Sequence, residues 1–362
     1  MDVSKLHLYT NSLFDDLRQQ QDELADRAVS ALIQNPDWVK TINSWERIPD
    51  KLSQDFSKEV TDFFEFYRRK DSSDVRAILE RGQQFFEENG DFYTALLGFY
   101  SLPYCYAFAD GAEVLVRSKR IIDAIGERLG ETGYFVMEIF RPGAFISDNR
   151  AYLVCAKVRL IHAYSRYFIK HYAKDWQSAY GMPVNQEDMI GTNIAFSQIV
   201  LRGLFKLGIS IDEAEHQAVL AYWRWIGELI GIDVNYWPET SKEAFELDKL
   251  IRSRNIRASA AGQKLIGALL SYYRKAVPDA ALASQVEGIV SFFLGKEASK
   301  ALNLKSKISF QGDLLGLFFK LNGLKNFGAK KSYTTLKRAL DQQQIQQFGK
   351  LMTIQLPVIS RS

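Results

Sequence analysis

The amino-acid sequence predicts an all-α protein, on three observations. Apolar residues recur at helical spacing along most of the 362-residue chain, period-two alternation is rare, and only 8 prolines interrupt it. Apolar residues make up 47% and charged residues 25%, which places the chain among globular proteins able to bury a large core. With 24 Phe, 17 Tyr and 6 Trp, that interior can also line an apolar pocket.

Taken in order, the periodicity predicts helices over 13–32, 52–70, 73–88, 113–128, 150–174, 186–207, 211–230, 242–254, 258–276 and 280–294. Asn185 reads as the cap of the sixth, with Glu187 and Asp188 in its first turn complementing the helix dipole. Ser210, followed three residues later by Glu213, reads as the start of the seventh. The tempting strand is 352–360, weakened by Pro357 inside it. Breaks fall at Asn89-Gly90-Asp91, at Arg141-Pro142-Gly143 and around Pro238. The expected organisation is an N-terminal helical extension (1–90), a helical core (91–295) and a basic C-terminal segment packing on it (296–362).

Charge is uneven. From Lys296 onward ten Lys and two Arg face only Glu297, Asp313 and Asp341, a net +9; the whole chain is +3, which leaves −6 on residues 1–295. Such a segment can seek anionic surfaces. Leu314–Leu321, followed by Lys325, Lys330 and Lys331, suits either peripheral membrane contact or, the favoured reading, a core-packed helix with a solvated basic face. No nucleic-acid partner is expected. The N-terminal residues lack the basic-then-apolar pattern of a signal peptide, so a cytoplasmic location is the default. The uncharged stretch from Thr94 to Ala109, interrupted by Pro103, falls short of the ~18 apolar residues of a spanning helix.

There is no Gly-rich phosphate loop, no zinc-type His/Cys cluster and no nucleophile-elbow motif. Cys105 and Cys155 read as buried small hydrophobes. Of the four histidines, His7 and His216 sit in polar surroundings and read as surface residues. His162 stands between Arg159 and Arg166 at i, i+3, i+7, so the three share a helical face. A neutral imidazole between two permanent cations suits a flat, dianionic, apolar ligand, the nitrogen on the metal and the arginines at the rim carboxylates. Spacing alone favours the other reading, a core histidine whose arginines pair with Asp or Glu elsewhere.

The run Val158-Arg159-Leu160-Ile161-His162-Ala163-Tyr164-Ser165-Arg166, followed by Gly181-Met182-Pro183-Val184-Asn185-Gln186-Glu187-Asp188-Met189 and Thr192, resembles the rubber-oxygenase (latex-clearing protein) and mycophenolic-acid-pathway oxygenase family. The helix end Trp223-Arg224-Trp225-Ile226-Gly227-Glu228-Leu229-Ile230-Gly231-Ile232, and Arg128 with Thr132 upstream, extend the resemblance over about residues 92–233. It implies a globin-like helical core with additional N- and C-terminal helices, haem b with His162 on the iron, and Arg159 and Arg166 near the propionates. It further implies dioxygen as co-substrate, Arg128 and Thr132 on the opposite side of the haem, and Glu113 as a nearby acid. Arg128 also suits a surface cation at a helix end. Where rubber oxygenases can carry a lysine just before the threonine, this chain has Glu131, so a lysine-capped iron is not expected. The implied activity is a haem-b-dependent oxygenase acting on the C=C bond of a hydrophobic, isoprenoid-like small molecule, with the electron donor unidentified. The alternatives are a haem-binding sensor or carrier without turnover and a cofactor-free interaction module.

Overall fold

The computed structural model describes residues 4–70, 73, 75–117, 124–148, 150–276, 280–305 and 333–359. Among these residues every regular element is helical, in agreement with the all-α prediction. The chain order is α1 (Asn11–Leu17), α2 (Glu23–Gln34), α3 (Pro36–Ser44), α4 (Lys58–Arg68), α5 (Arg76–Leu96), α6 (Leu102–Tyr106), α7 (Ala109–Arg117) and α8 (Ile125–Ile139). It continues with α9 (Arg150–Tyr172), α10 (Gln186–Phe196), α11 (Gln198–Lys206), α12 (Glu213–Leu229), α13 (Ser241–Asn255), α14 (Ala260–Ala276), α15 (Ala280–Ala301) and α16 (Tyr333–Phe348).

Helix α9 is the axis of the fold. It is free of Gly and Pro, and it is buried nearly all round from Ala151 to Leu160, because α2, α8 and α12 pack on different sides of it. A second centre is aromatic: Phe140 is sandwiched between Phe86 (centroids 4.5 Å apart) and Tyr222 (4.7 Å). The polar ends of this cluster are satisfied. Trp223 Nε1 donates to Tyr93 Oη at 2.6 Å, and the Tyr222 hydroxyl donates to the Ile139 carbonyl.

Several expected boundaries move, each for a local reason. Residues 13–32 form two helices, because Asp22 caps α2 and the loop before α10 takes the carbonyls of the break: Met182 N donates to Arg18 O (3.0 Å) and Gln186 N to Gln20 O (3.1 Å). Asn89-Gly90-Asp91 closes nothing, since α5 runs straight through it. A Cβ on Gly90 would stand 3.0 Å from Leu336, so the glycine serves a close helix crossing. The 113–128 helix is not continuous, because Ala124 has a non-helical backbone and α8 begins at Ile125. Residues 186–207 break at Ser197, where the carbonyls of Ala195 and Phe196 accept from the hydroxyls of Ser101 and Tyr93. Helix α12 starts at Asp212, which forms a reciprocal capping box with Glu215, one pair later than Ser210 and Glu213. Segment 352–359 buries Met352, Ile354 and Leu356 in alternation but pairs with no strand. The side-chain amide of Asn43 instead bonds both the N–H (2.8 Å) and the C=O (2.9 Å) of Leu356. Leu314–Leu321 lies outside the described residues.

Candidate functional site

His162 lies midway along α9. Burial carries its pKa down to about 4; Arg166 and Arg128 push the same way and Asp22 opposes them. The ring is therefore neutral at physiological pH. The residue nevertheless keeps part of its accessible surface. Its Nδ1 is buried without a hydrogen-bond partner.

Arg128, on the first turn of α8, acts on both His162 and Tyr106 of α6. Tyr106 in turn neighbours Cys105 and Tyr273 of α14 electrostatically. Cys105 and Tyr273 are likewise partly accessible, and burial pushes the Cys105 thiol up to about 12. His162 of α9, Arg128 of α8, Tyr106 of α6 and Tyr273 of α14 thus form one chain of electrostatic neighbours. Cys155 is a fully buried inert thiol, as expected, whereas Cys105 is only partly covered.

The two arginines flanking His162 turn toward α2. Arg159 makes a bidentate pair with Asp22, Nε to Oδ2 at 2.6 Å and Nη2 to Oδ1 at 2.8 Å. Arg166 Nε donates to Asp26 Oδ1 at 2.6 Å, and its Nη1 reaches the carbonyl of Val184 at 3.3 Å. Each guanidinium keeps one buried nitrogen without a geometric hydrogen bond, Arg159 Nη1 and Arg166 Nη2, although the Tyr67 hydroxyl also acts on the Arg159 guanidinium. Val184 accepts this bond from a left-handed backbone (φ 50°), an unusual strain for a β-branched residue and one that recurs beside functional sites.

The remaining expected residues are engaged locally. Arg128 pairs with Glu131 one turn on, and Thr132 Oγ1 donates to the Arg128 carbonyl at 3.0 Å. Glu113 pairs with Arg117, which also holds Asp175 and stands over the Trp176 ring. The structure therefore brings Arg128 toward His162 and directs the Glu113 carboxylate to the far end of α9. His171 is exposed and stacked on Tyr167 (3.9 Å), and His7 is exposed. His216 departs from its surface reading: it is half-buried and its Nε2 lies 2.7 Å from Gln198 Oε1.

Sequence reasoning missed Asp22, Asp26 and Tyr106, which no local motif marks. It placed Asn185 correctly: its side chain accepts from Asp188 N at 2.9 Å. Glu187 proves to be the hub of a buried network, held below the usual carboxylate range against its burial by Arg254, Arg18 and Asn255. Beside it, burial raises Asp188 to about 7.

Fold and site together define a class: an all-helical protein with a buried, neutral histidine whose Nδ1 is unpartnered and on which a nearby arginine acts. Residues 107–317, more than half of the chain, match the model described as the ER-bound oxygenase mpaB/B'/rubber oxygenase catalytic domain, and the chain belongs to that family of oxygenases. It is 25% identical over 291 residues to the rubber oxygenase of Streptomyces sp. (strain K30), covering 78% of this chain and 70% of that one. Its fold is similar to the structure of latex clearing protein LCP in the closed state, with a TM-score of 0.72 and 21% identity over 95% of this chain and 94% of the other.

Proposed function

We propose that this protein is a haem-b-dependent oxygenase that takes dioxygen and a hydrophobic, isoprenoid-like small molecule and oxygenates or cleaves its C=C bond. The observation that carries this reading is His162, a desolvated imidazole that stays neutral and has no protein partner for Nδ1. A neutral imidazole of that kind fits an iron ligand. Haem, when bound, would supply the iron chemistry that activates dioxygen.

The chain's own residues have distinct tasks. His162 would hold the iron. Arg159 Nη1 and Arg166 Nη2, the nitrogens left over by Asp22 and Asp26, would donate to the propionates, and the two aspartates fix the direction of both guanidiniums. Arg128 would keep a fixed positive charge over the reacting oxygen, and Thr132, one turn on, a hydroxyl that can turn from its own helix carbonyl. Tyr106 and Tyr273, neighbours in this region, would add aromatic cover that excludes water. Glu113 would serve as an acid only on release from Arg117. The reading is tested by incubating the haem-loaded protein with unsaturated isoprenoids under oxygen, following oxygen uptake and aldehyde or ketone formation. Uptake dependent on substrate and on His162 supports it; no uptake with any hydrophobic substrate overturns it in favour of a haem-binding sensor or carrier.

A further inference from the structure

Away from His162, α11, α13 and α15 meet around a pocket. Arg202 and Lys206, Arg252, and Lys296 just past the bend at Gly295 line a cavity of about 200 Å³ together with Tyr100 and Tyr104. One wholly buried carboxylate, Asp248, accepts from Tyr104, Arg202 and Arg252. The other, Glu297, stands 4.0 Å from Arg252 and is mostly exposed. Four cations therefore share two anions. Lys206 registers the surplus: burial first, then Arg202 and Arg252, pull its ammonium down to about 8, even though its Nζ donates to the Phe293 carbonyl at 2.6 Å.

The helices that build this pocket also carry uncovered rings. Phe205, beside Lys206 and on the same face of α11 as Arg202, is 77% exposed. Phe292, whose ring centre is 5.7 Å from Lys206 Nζ, is 38% exposed, and Phe245, two turns before Arg252 on α13, is 48% exposed. Single exposed rings need no explanation, but three around one charged pocket do. At this volume the pocket is below the ~300 Å³ at which drug-sized ligands begin to be enclosed, so it admits a phosphate-sized anion and leaves the rest of the molecule outside.

We propose that this surface docks on an anionic phospholipid bilayer, with a headgroup phosphate in the basic pocket and Phe205, Phe245 and Phe292 in the headgroup–acyl boundary. Aromatic rings favour that boundary, the arginine fork matches phosphate, and lysines and arginines are drawn to anionic leaflets. Contact is peripheral in kind, since among the described residues no helix is long and apolar enough to cross a membrane. The proposal stands on these residues and not on the oxygenase reading.

The test is sedimentation of the full chain with vesicles of phosphatidylcholine alone and with about 30 mol% phosphatidylserine, at ~0.1 M and ~0.5 M salt. The expected result is binding to the anionic vesicles at least about tenfold tighter than to the neutral ones, weakening with salt. Lys296→Glu and the double variant Phe205→Ser/Phe292→Ser change exposed side chains, so thermal unfolding should match wild type while vesicle binding falls about fivefold or more. Equal binding to both compositions, or none to either, overturns the proposal. Undiminished binding in both variants overturns it in favour of another basic surface of the chain. A concentration-dependent dimer abolished by the double variant overturns it in favour of self-association.

Discussion

Arg159 and Asp22 face each other through two parallel hydrogen bonds of 2.6 and 2.8 Å, with both side chains buried. Removing one partner strands the other charge, so Arg159→Leu should destabilise the apoprotein by about 3–5 kcal/mol. Arg159→Leu/Asp22→Asn, which removes the stranded charge, should recover a large part of that loss. Urea denaturation of the three proteins measures it, and no recovery in the double variant would refute the pairing as the source. Haem dissociation, followed separately, reports the unpartnered Nη1: both variants should release haem faster.

The depressed pKa of His162 fixes the sign of a pH effect. Its folded value, about 4, lies below the ordinary 6.5, so between those limits the unfolded chain binds the proton first. Its contribution is present above pH 6.5 and is lost as pH falls toward 4. His216, also held down by burial, acts in the same direction, so the informative quantity is the difference between wild type and His162→Phe. The variant should lose part of the slope in that window; parallel stability curves would contradict the assignment.

Asp188 should behave in the opposite sense. Burial raises its carboxyl from 3.8 to about 7, so the folded protein holds the proton more tightly and stability falls as pH rises through that interval. Asp188→Asn should therefore be more favourable, relative to wild type, at pH ~8 than at pH ~5 in denaturant titrations. An identical effect at both pH values would show that the buried acid does not titrate there.

Much of this was legible in the sequence, and the failures have physical causes. Helix α9, the Arg159/His162/Arg166 face and the Asn185 cap follow from local spacing, which a single sequence contains. The resemblance around His162 and Asn185 agrees with the family match, while the pairing of Arg159 and Arg166 with aspartates realises the other reading that spacing left open. Asp22 and Asp26 lie about 140 positions from the arginines they hold, and only tertiary packing joins them. The break at Ser197 was equally hidden, because no Gly or Pro marks it and the hydroxyls of Ser101 and Tyr93 come from distant helices.

Arg128 gives a test of its electrostatic action on His162. If Arg128 stabilises negative charge developing on oxygen, Arg128→Ala should leave the haem absorption largely intact and lower oxygen-dependent turnover by about 10²-fold. Thr132→Ala should act in the same direction. Arg128→Ala should also raise the His162 pKa in the apoprotein, since Arg128 is one of the cations depressing it; ring NMR titration reads this without any turnover. Full turnover together with an unmoved His162 titration would reject the arrangement.

The central claim is that His162 holds haem b. The most direct measurement is the absorption spectrum of purified protein during titration with haemin, comparing wild type, His162→Ala and His171→Ala. His171 is the proper control, being on the same helix but exposed and stacked on Tyr167. The account predicts one haem per chain in wild type and His171→Ala and grossly weakened uptake in His162→Ala. A wild-type protein that stays colourless and fails to take up haemin, or haem loss in the His171 variant alone, would contradict it.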